Sequence, residues 1–288
     1  MSIYDTDLFG RTKHQLAIDR IRNFVTERRT ACVAFSGGKD SQCCYHLCEE
    51  AGVPFTARYS ITRFEPPELM RFVRKHYPSV MFKRAYAKSL VEEIKEKGLP
   101  SRWARWCCDS KHTTTPAERD AYVYIIGIRA EESARRAQTW RIFGNKQDGS
   151  AYVCPIIDWT ENDVWEYLDA RPHCQLYDEG HKRIGCVMCP LAHNNMKRDA
   201  ARWPKTAAML RIGSDAFVAR MRKQNFITGH GRPCPDWCDS ESPEDEYWRR
   251  WYLTGQTAKP VGDAPVADEM CLFSGSGFSE NDNNSFAD

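Results

Sequence analysis

Two groups of residues in this sequence have types and spacings that can do chemistry. The first is the unbroken string Ser36-Gly37-Gly38-Lys39-Asp40-Ser41. Adjacent glycines open backbone conformations closed to other residues and let N–H groups approach an anion closely. A helix predicted to begin behind the string adds its dipole, and Ser36, Lys39 and Ser41 add hydroxyls and a positive charge. This is the chemistry of a polyphosphate cradle. It is not a Walker loop, because the G-x-x-x-x-G-K-[ST] spacing is absent. An ordinary turn capped by Asp40 would account for the two glycines, but not for the whole string placed after a buried strand.

The second group is cysteine. Cys107-Cys108 and Cys186-x-x-Cys189 are separated by 77 residues, and four thiolates can ligate an iron–sulfur cluster or a tetrahedral zinc ion. The CxxC half suits either, whereas an adjacent pair is awkward for zinc, whose structural ligands usually arrive in C-x₂₋₄-C pairs. Cys32, Cys43, Cys44, Cys48 and Cys154 read as reduced core thiols. Cys234-x-x-x-Cys238 is a weaker candidate pair, and Cys271 is the one cysteine of the tail.

These groups need elements to position them. Periodicity predicts helices over 14–28, 40–51, 67–77, 87–97 and 160–169, the last opened by the capping box Thr160-Glu161-Asn162-Asp163. Apolar, β-branched runs predict strands at Ala31–Phe35, Phe55–Ile61, Val80–Arg84, Tyr122–Ile128 and Tyr152–Ile157. Alternating strands and helices imply an α/β fold, a parallel sheet with helices on both faces. The predicted organisation is an N-terminal helical segment (1–29), a nucleotide-binding α/β domain (30–170) and a Cys-, Trp- and Arg-rich helical C-terminal subdomain (171–255). Residues 256–288, with six acidic residues and one lysine, read as a disordered tail.

Composition excludes several classes. Of the 288 residues 42% are hydrophobic, enough for a core, and no apolar run reaches the roughly 20 residues of a membrane span. With 41 basic and 39 acidic residues the chain is no bulk polycation, so a nucleic-acid contact would have to be local. Candidate segments are Arg102-Trp103-Ala104-Arg105-Trp106 and Trp248-Arg249-Arg250-Trp251, which could pair phosphate contacts with base stacking or simply be amphipathic faces. An odd count of 13 cysteines and no apolar leader point to reduced thiols and a cytoplasmic location.

A third segment, Gly127-Ile128-Arg129-Ala130-Glu131-Glu132-Ser133-Ala134-Arg135-Arg136, follows a predicted strand and offers guanidiniums with hydroxyls, a receptor for oxyanions. With it, the chain from about residue 30 to 195 resembles the phosphoadenosine phosphosulfate (PAPS) reductase family of the PP-loop ATP pyrophosphatase superfamily. Pro155-Ile156-Ile157-Asp158-Trp159 through Asp163-Val164-Trp165 and Leu176-Tyr177-Asp178 through Arg183-Ile184-Gly185-Cys186 resemble further family segments. Trp159 and Trp165 read as core.

The resemblance implies an adenine nucleotide α-hydrolase-like fold. It implies ATP and Mg²⁺ at Ser36, Gly37, Gly38, Lys39, Asp40 and Ser41, with Gly127 and Arg129 beside them. It further implies a [4Fe–4S] cluster on Cys107, Cys108, Cys186 and Cys189, and anionic substrate at Lys111, Arg135 and Arg136. Two departures matter. The reductases' terminal Glu-Cys-Gly-x-His, whose cysteine attacks sulfur, has no counterpart, and Ser60-Ile61-Thr62-Arg63 replaces the Asp-Thr-Gly ahead of Pro66-Pro67-Glu68. The resemblance is closest in type to the ATP pyrophosphatase subunit of DNA phosphorothioation systems, which shares a context like Arg105-Trp106-Cys107. The expected activity is adenylation of a target in sulfur transfer, with a cysteine desulfurase as sulfur donor, nucleic acid as target and an oligomer of identical chains allowed. Reduction of adenylylsulfate or PAPS, and tRNA thiolation, are the alternatives.

Overall fold

A computed structural model describes residues 2–26, 29–223 and 236–257 of the chain. In chain order it contains α1 (Lys13–Phe24), β1 (Thr30–Ala34), α2 (Lys39–Ala51), β2 (Phe55–Ile61), α3 (Pro67–His76), β3 (Met81–Arg84), α4 (Leu90–Lys97), α5 (Trp106–His112), α6 (Pro116–Ala121) and β4 (Tyr122–Ile125). There follow α7 (Ala134–Thr139), β5 (Phe143–Asn145), β6 (Ala151–Val153), α8 (Glu161–Leu168), α9 (Met196–Arg202), α10 (Pro204–Lys223) and α11 (Pro243–Thr254). The six strands form one sheet in the order β3-β2-β1-β4-β6-β5.

Five strands run parallel, as expected for strands that alternate with helices, and β5 joins the edge antiparallel to β6. β5 is an addition to the predicted set: three residues are too few for a period-2 pattern to register. Helices α5, α6 and α7, six or seven residues each, are likewise too short for a helical period to show in the sequence.

Two predicted strands end early. The Ile128 N–H turns back onto the Ile126 carbonyl at 3.0 Å, and Pro155, which has no N–H to give a ladder, follows β6. The first helix stops at Phe24 because Val25 is already extended. The Thr160–Asp163 capping box is present, with the Thr160 hydroxyl accepting from the Asp163 N–H and the Asp163 carboxylate accepting from the Thr160 N–H.

Alternation along β1 divides the core. Ala31 and Val33 join Ile18 and Ile21 of α1 and Cys43, Cys44, Leu47 and Cys48 of α2 in the larger cluster. Cys32 faces the other way and joins Tyr124, Ile126, Trp140, Tyr152 and Cys154 in a smaller one. Trp159 is fully buried and Trp165 half-buried, both packed as core. The five cysteines predicted to be core thiols are all buried.

The C-terminal helices lean on α4 and on the segment that follows it. Arg220 of α10 donates to the Lys95 and Glu96 carbonyls, the Tyr247 hydroxyl of α11 accepts from the Leu99 N–H, and the Trp251 indole donates to the Pro100 carbonyl. They thereby fix the approach to Cys107. Cys234, Cys271 and the predicted tail from residue 258 onward lie outside the described residues.

Candidate functional site

The chain crosses from one side of β1 to the other: β2 pairs on one flank and β4 on the other. In open α/β sheets the crevice beyond the strand ends at such a reversal is the place for a ligand. Here the turn after β1 begins with Ser36, and the turn after β4 contains Gly127.

The first turn is built tightly. Gly37 has φ +75°, and a Cβ there would come within 2.7 Å of Val73 and 2.9 Å of Leu69 on α3, so glycine alone lets α3 close over the loop. The Ser41 hydroxyl accepts from the Ser36 N–H at 3.2 Å and donates to the Gly38 carbonyl at 2.8 Å, and the Ser36 and Ser41 hydroxyls lie 3.2 Å apart. α2 starts at Lys39 with Gly38 as its cap and no side-chain acceptor on it, leaving the positive end of the helix dipole at the loop. The Lys39 N–H donates to the Tyr177 hydroxyl at 2.9 Å.

The second turn locks onto the first. Gly127 runs so close to α2 that a Cβ would meet the Asp40 carbonyl oxygen at 2.7 Å. Arg129, 4% exposed, donates to Asp40 at 2.6 Å and to Glu131 at 2.6 Å. Burial works against its charge, and the neighbouring Asp40 and Glu131 carboxylates more than offset that and hold its pKa above the ordinary arginine value. Arg129 is thus a strut on Asp40, not an open anion receptor.

A cavity of about 590 Å³ opens over this junction, lined by Ser36, Gly38, Asp40, Ser41 and Gly127 on one side. Lys111, Arg135 and Arg136 line it too, Arg136 being paired with Glu132. Gly37 faces α3 instead. Lys39 is buried beside the cavity wall: its ammonium donates to the Lys182 carbonyl at 3.0 Å and lies 3.5 Å from Glu161 and 4.0 Å from the cavity-lining Asp40.

The cysteines come to the same place by two routes. Cys107 and Cys108 sit in the first turn of α5, where the Cys108 N–H bonds back to the Arg105 carbonyl. Cys186 and Cys189 flank a turn pinned at Val187 by the Phe64 carbonyl (2.6 Å) and at Met188, φ +53°, by the Asp199 carboxylate (3.0 Å). Cys108 and Cys186 line the cavity.

The Cys107 thiol donates to Cys108, which lowers the Cys108 pKa, and Lys111 and Arg105 lower it further; Cys107 is raised in return. Burial pushes Cys186 up to about 12 against the pull of Lys111. All four sulfurs lie within electrostatic reach of one another. Among the described residues no three Cys, His, Asp or Glu side chains converge closely enough to hold one metal ion. The four thiols are thus brought into one region without forming a site for a single ion; as donor chemistry, four cysteine thiolates are a set that an iron–sulfur cluster can use.

Arg58, Lys83, His112, Glu118, Tyr124 and Lys146 also line the cavity, and none was singled out from the sequence. One signal was present: Arg58 and Ser60 alternate along β2, which marks a polar face. The two basic–aromatic segments part company. Trp251 is buried, Trp248 packs on Trp251 and Tyr252, and Arg249 and Arg250 both bind Glu246. Of the first segment, Arg105 lines the cavity and Trp103 is 46% exposed. Among the described residues no helix is long and apolar enough to cross a membrane.

Comparison with known proteins matches residues 30–192 to the phosphoadenosine phosphosulfate reductase domain. An uncharacterized protein of Methanocaldococcus jannaschii is 33% identical over 214 residues, 68% of this chain and 44% of that protein. The adenosine 5′-phosphosulfate reductase of Staphylococcus epidermidis is 32% identical over 153 residues, 50% of this chain and 62% of the reductase. The match to each spans less than two thirds of the relative's own length. Among solved structures, an NH3-dependent NAD synthetase from Campylobacter jejuni is similar at a TM-score of 0.42 and 15% identity, covering 74% of this chain and 93% of that one.

Proposed function

The chain belongs to the phosphoadenosine phosphosulfate reductase domain family, and from that premise we propose that it is an ATP pyrophosphatase that activates an acceptor for sulfur transfer. One observation carries the reading: a single cavity is lined both by the phosphate loop and by Cys108 and Cys186. Nucleotide activation and sulfur chemistry would then share one chamber.

The residues divide the work. The start of α2 with Gly38, and the Ser36 and Ser41 hydroxyls, would hold the β and γ phosphates, since N–H groups and the helix dipole favour negative charge there. Asp40, kept in place by Arg129, would face Mg²⁺ held jointly with the phosphates. Lys111, Arg135 and Arg136 would hold the acceptor's anionic oxygen against the α-phosphorus. That oxygen attacks, the bond between α and β phosphates breaks, and pyrophosphate leaves with the electron pair. Hydrosulfide, released from a donor persulfide such as that of a cysteine desulfurase by two electrons from an external dithiol, which becomes a disulfide, then displaces AMP, which carries the acceptor's oxygen away. Cys107, Cys108, Cys186 and Cys189 would hold a [4Fe–4S] cluster, whose bound charge and sulfur affinity would serve the donor side. Nucleic acid, as in DNA phosphorothioation, is the acceptor proposed, with exposed Trp103 and cavity-lining Arg105 as its contacts.

Reduction of adenylylsulfate is the second reading, supported by the relatives named for that activity. The two are separated by incubating the anaerobically purified chain with ATP, Mg²⁺ and a sulfide source, and in parallel with adenylylsulfate and a dithiol. Pyrophosphate release in the first vessel supports sulfur transfer. Sulfite at enzymatic rates in the second, with no pyrophosphate in the first, replaces it with the reductase. Mass spectrometry of nucleic acid from cells with and without the protein then tests the acceptor.

A further inference from the structure

The first N–H of α2, that of Lys39, is already engaged. It donates at 2.9 Å to the hydroxyl of Tyr177, which arrives from 138 residues along the chain. The phenol oxygen thereby stands where the start of the helix would meet an anion. A Cβ placed on Gly38 would lie 3.5 Å from the Tyr177 hydroxyl oxygen and 3.5 Å from the Ser36 Oγ, so the two hydroxyls flank one point of the loop. Both residues line the cavity.

The hydroxyl is held in this place from both sides. Leu176, next to Tyr177, is fully buried. The Tyr177 N–H donates to the Cys174 carbonyl, and the Tyr177 carbonyl accepts from the Gly180 N–H, both at 3.0 Å. The ring packs edge-on against Trp165, with centroids 5.0 Å apart. The Lys39 ammonium lies over the ring, 5.6 Å from its centre.

A phenol oxygen can accept a hydrogen bond and still donate its one proton. Here it accepts from Lys39, and among the described residues nothing accepts the Tyr177 O–H proton. Burial raises the pKa of the hydroxyl against the hydrogen bond from Lys39, which lowers it, and Asp40 raises it further. The proton therefore stays on the oxygen at neutral pH. The chain from Lys39 N–H through Tyr177 O–H hands the positive end of the α2 dipole to that proton.

We propose that the Tyr177 O–H donates to a non-bridging oxygen of the pyrophosphate portion of ATP, which makes Tyr177 a catalytic residue for pyrophosphate release. As the bond between α and β phosphates breaks, charge gathers on the leaving pyrophosphate, and a donor already in place stabilises it there. The assignment rests on the reading of the loop as a nucleotide site, and the test keeps the two apart. Titration calorimetry of the full chain with Mg²⁺ uses α,β-methylene-ATP, whose α–β link cannot be cleaved. Tyr177→Phe keeps the ring and removes only the hydroxyl. It should weaken binding of the analogue about tenfold. Wherever the parent releases pyrophosphate from ATP, the variant should do so about a hundredfold more slowly.

Analogue affinity equal to or tighter than the parent's overturns the proposal, since the hydroxyl then merely fills the Lys39 N–H until a phosphate replaces it. A parent that does not bind the analogue at all overturns the nucleotide reading instead. Should Tyr177→Phe fail to fold, a crystal structure of the parent with the analogue decides. A Tyr177 oxygen about 2.5–2.7 Å from a phosphate oxygen supports the proposal, and one beyond about 3.5 Å overturns it.

Discussion

Gly127→Ala probes whether the two turns of the site are one mechanical unit. An added methyl would lie 2.7 Å from the Asp40 carbonyl oxygen and 2.8 Å from its carbon. Both are backbone atoms, which cannot swing aside as a side chain can. Ordinary contact begins at 3.4 Å, so the start of α2 must retreat by about 0.7 Å, taking Ser41 and the loop with it. Overpacking of this kind costs about 2 kcal/mol, and at about 2–4 °C per kcal/mol for a chain somewhat below this size the melting temperature should fall by about 4–8 °C. A shift of that size in a catalytic constellation costs up to about a hundredfold in rate, so ATP-dependent pyrophosphate release should drop far more than stability does. Gly185→Ala is the control, since nothing lies within 4 Å of a Cβ there and its φ is not left-handed. Differential scanning fluorimetry and a pyrophosphate assay read both. If Gly127→Ala melts within a degree or so of the parent and keeps its rate, the close approach of the two turns plays no part in the site, and the reasoning fails.

The other expectations are shorter. Arg129→Met should weaken ATP binding about tenfold by releasing Asp40, with circular dichroism unchanged; unchanged affinity would mean that the strut is dispensable. Lys13→Met concerns acid stability: burial alone would raise the Asp163 carboxyl pKa, but the Lys13 ammonium at 2.6 Å and the Thr160 N–H at 2.7 Å outweigh it and hold it below the usual value. A depressed pKa gives stability that is present above the unfolded value near 4 and is lost as pH falls through the folded one. The variant should therefore lag the parent at pH 7 and converge with it in strong acid, and an equal deficit at both would contradict the assignment. Glu68→Leu should cost about 1–3 kcal/mol in urea unfolding by stranding the buried Trp203 indole N–H that Glu68 accepts at 2.9 Å; a silent substitution would show that the indole finds another acceptor. Cys186→Ser should strip iron and sulfide from anaerobic protein, whereas stoichiometric zinc without sulfide in the parent would refute the cluster assignment.

Local chemistry made part of this protein legible in the order of its residues. The tight turn from Ser36 into α2 was readable because six consecutive residues carry its backbone freedom, hydroxyls and helix start together. Helices α1 to α4 and α8 were readable too, since periodicity accumulates along them, whereas α10, 20 residues long, was legible only as part of a helical subdomain; the Thr160–Asp163 box formed because both partners lie within one turn. Tertiary structure decided the rest. Lys39 and Arg129 look in sequence like anion ligands. Folding gives Lys39 to the Lys182 carbonyl and Glu161, and Arg129 to Asp40 and Glu131, because a buried charge is held only where partners meet it. Tyr177 stands 138 residues from Lys39 in the sequence, and only folding brings its hydroxyl onto the Lys39 N–H. The joining of Ser36 to Cys186 in one cavity required the reversal of strand order at β1, a property of the whole sheet that no window of sequence contains.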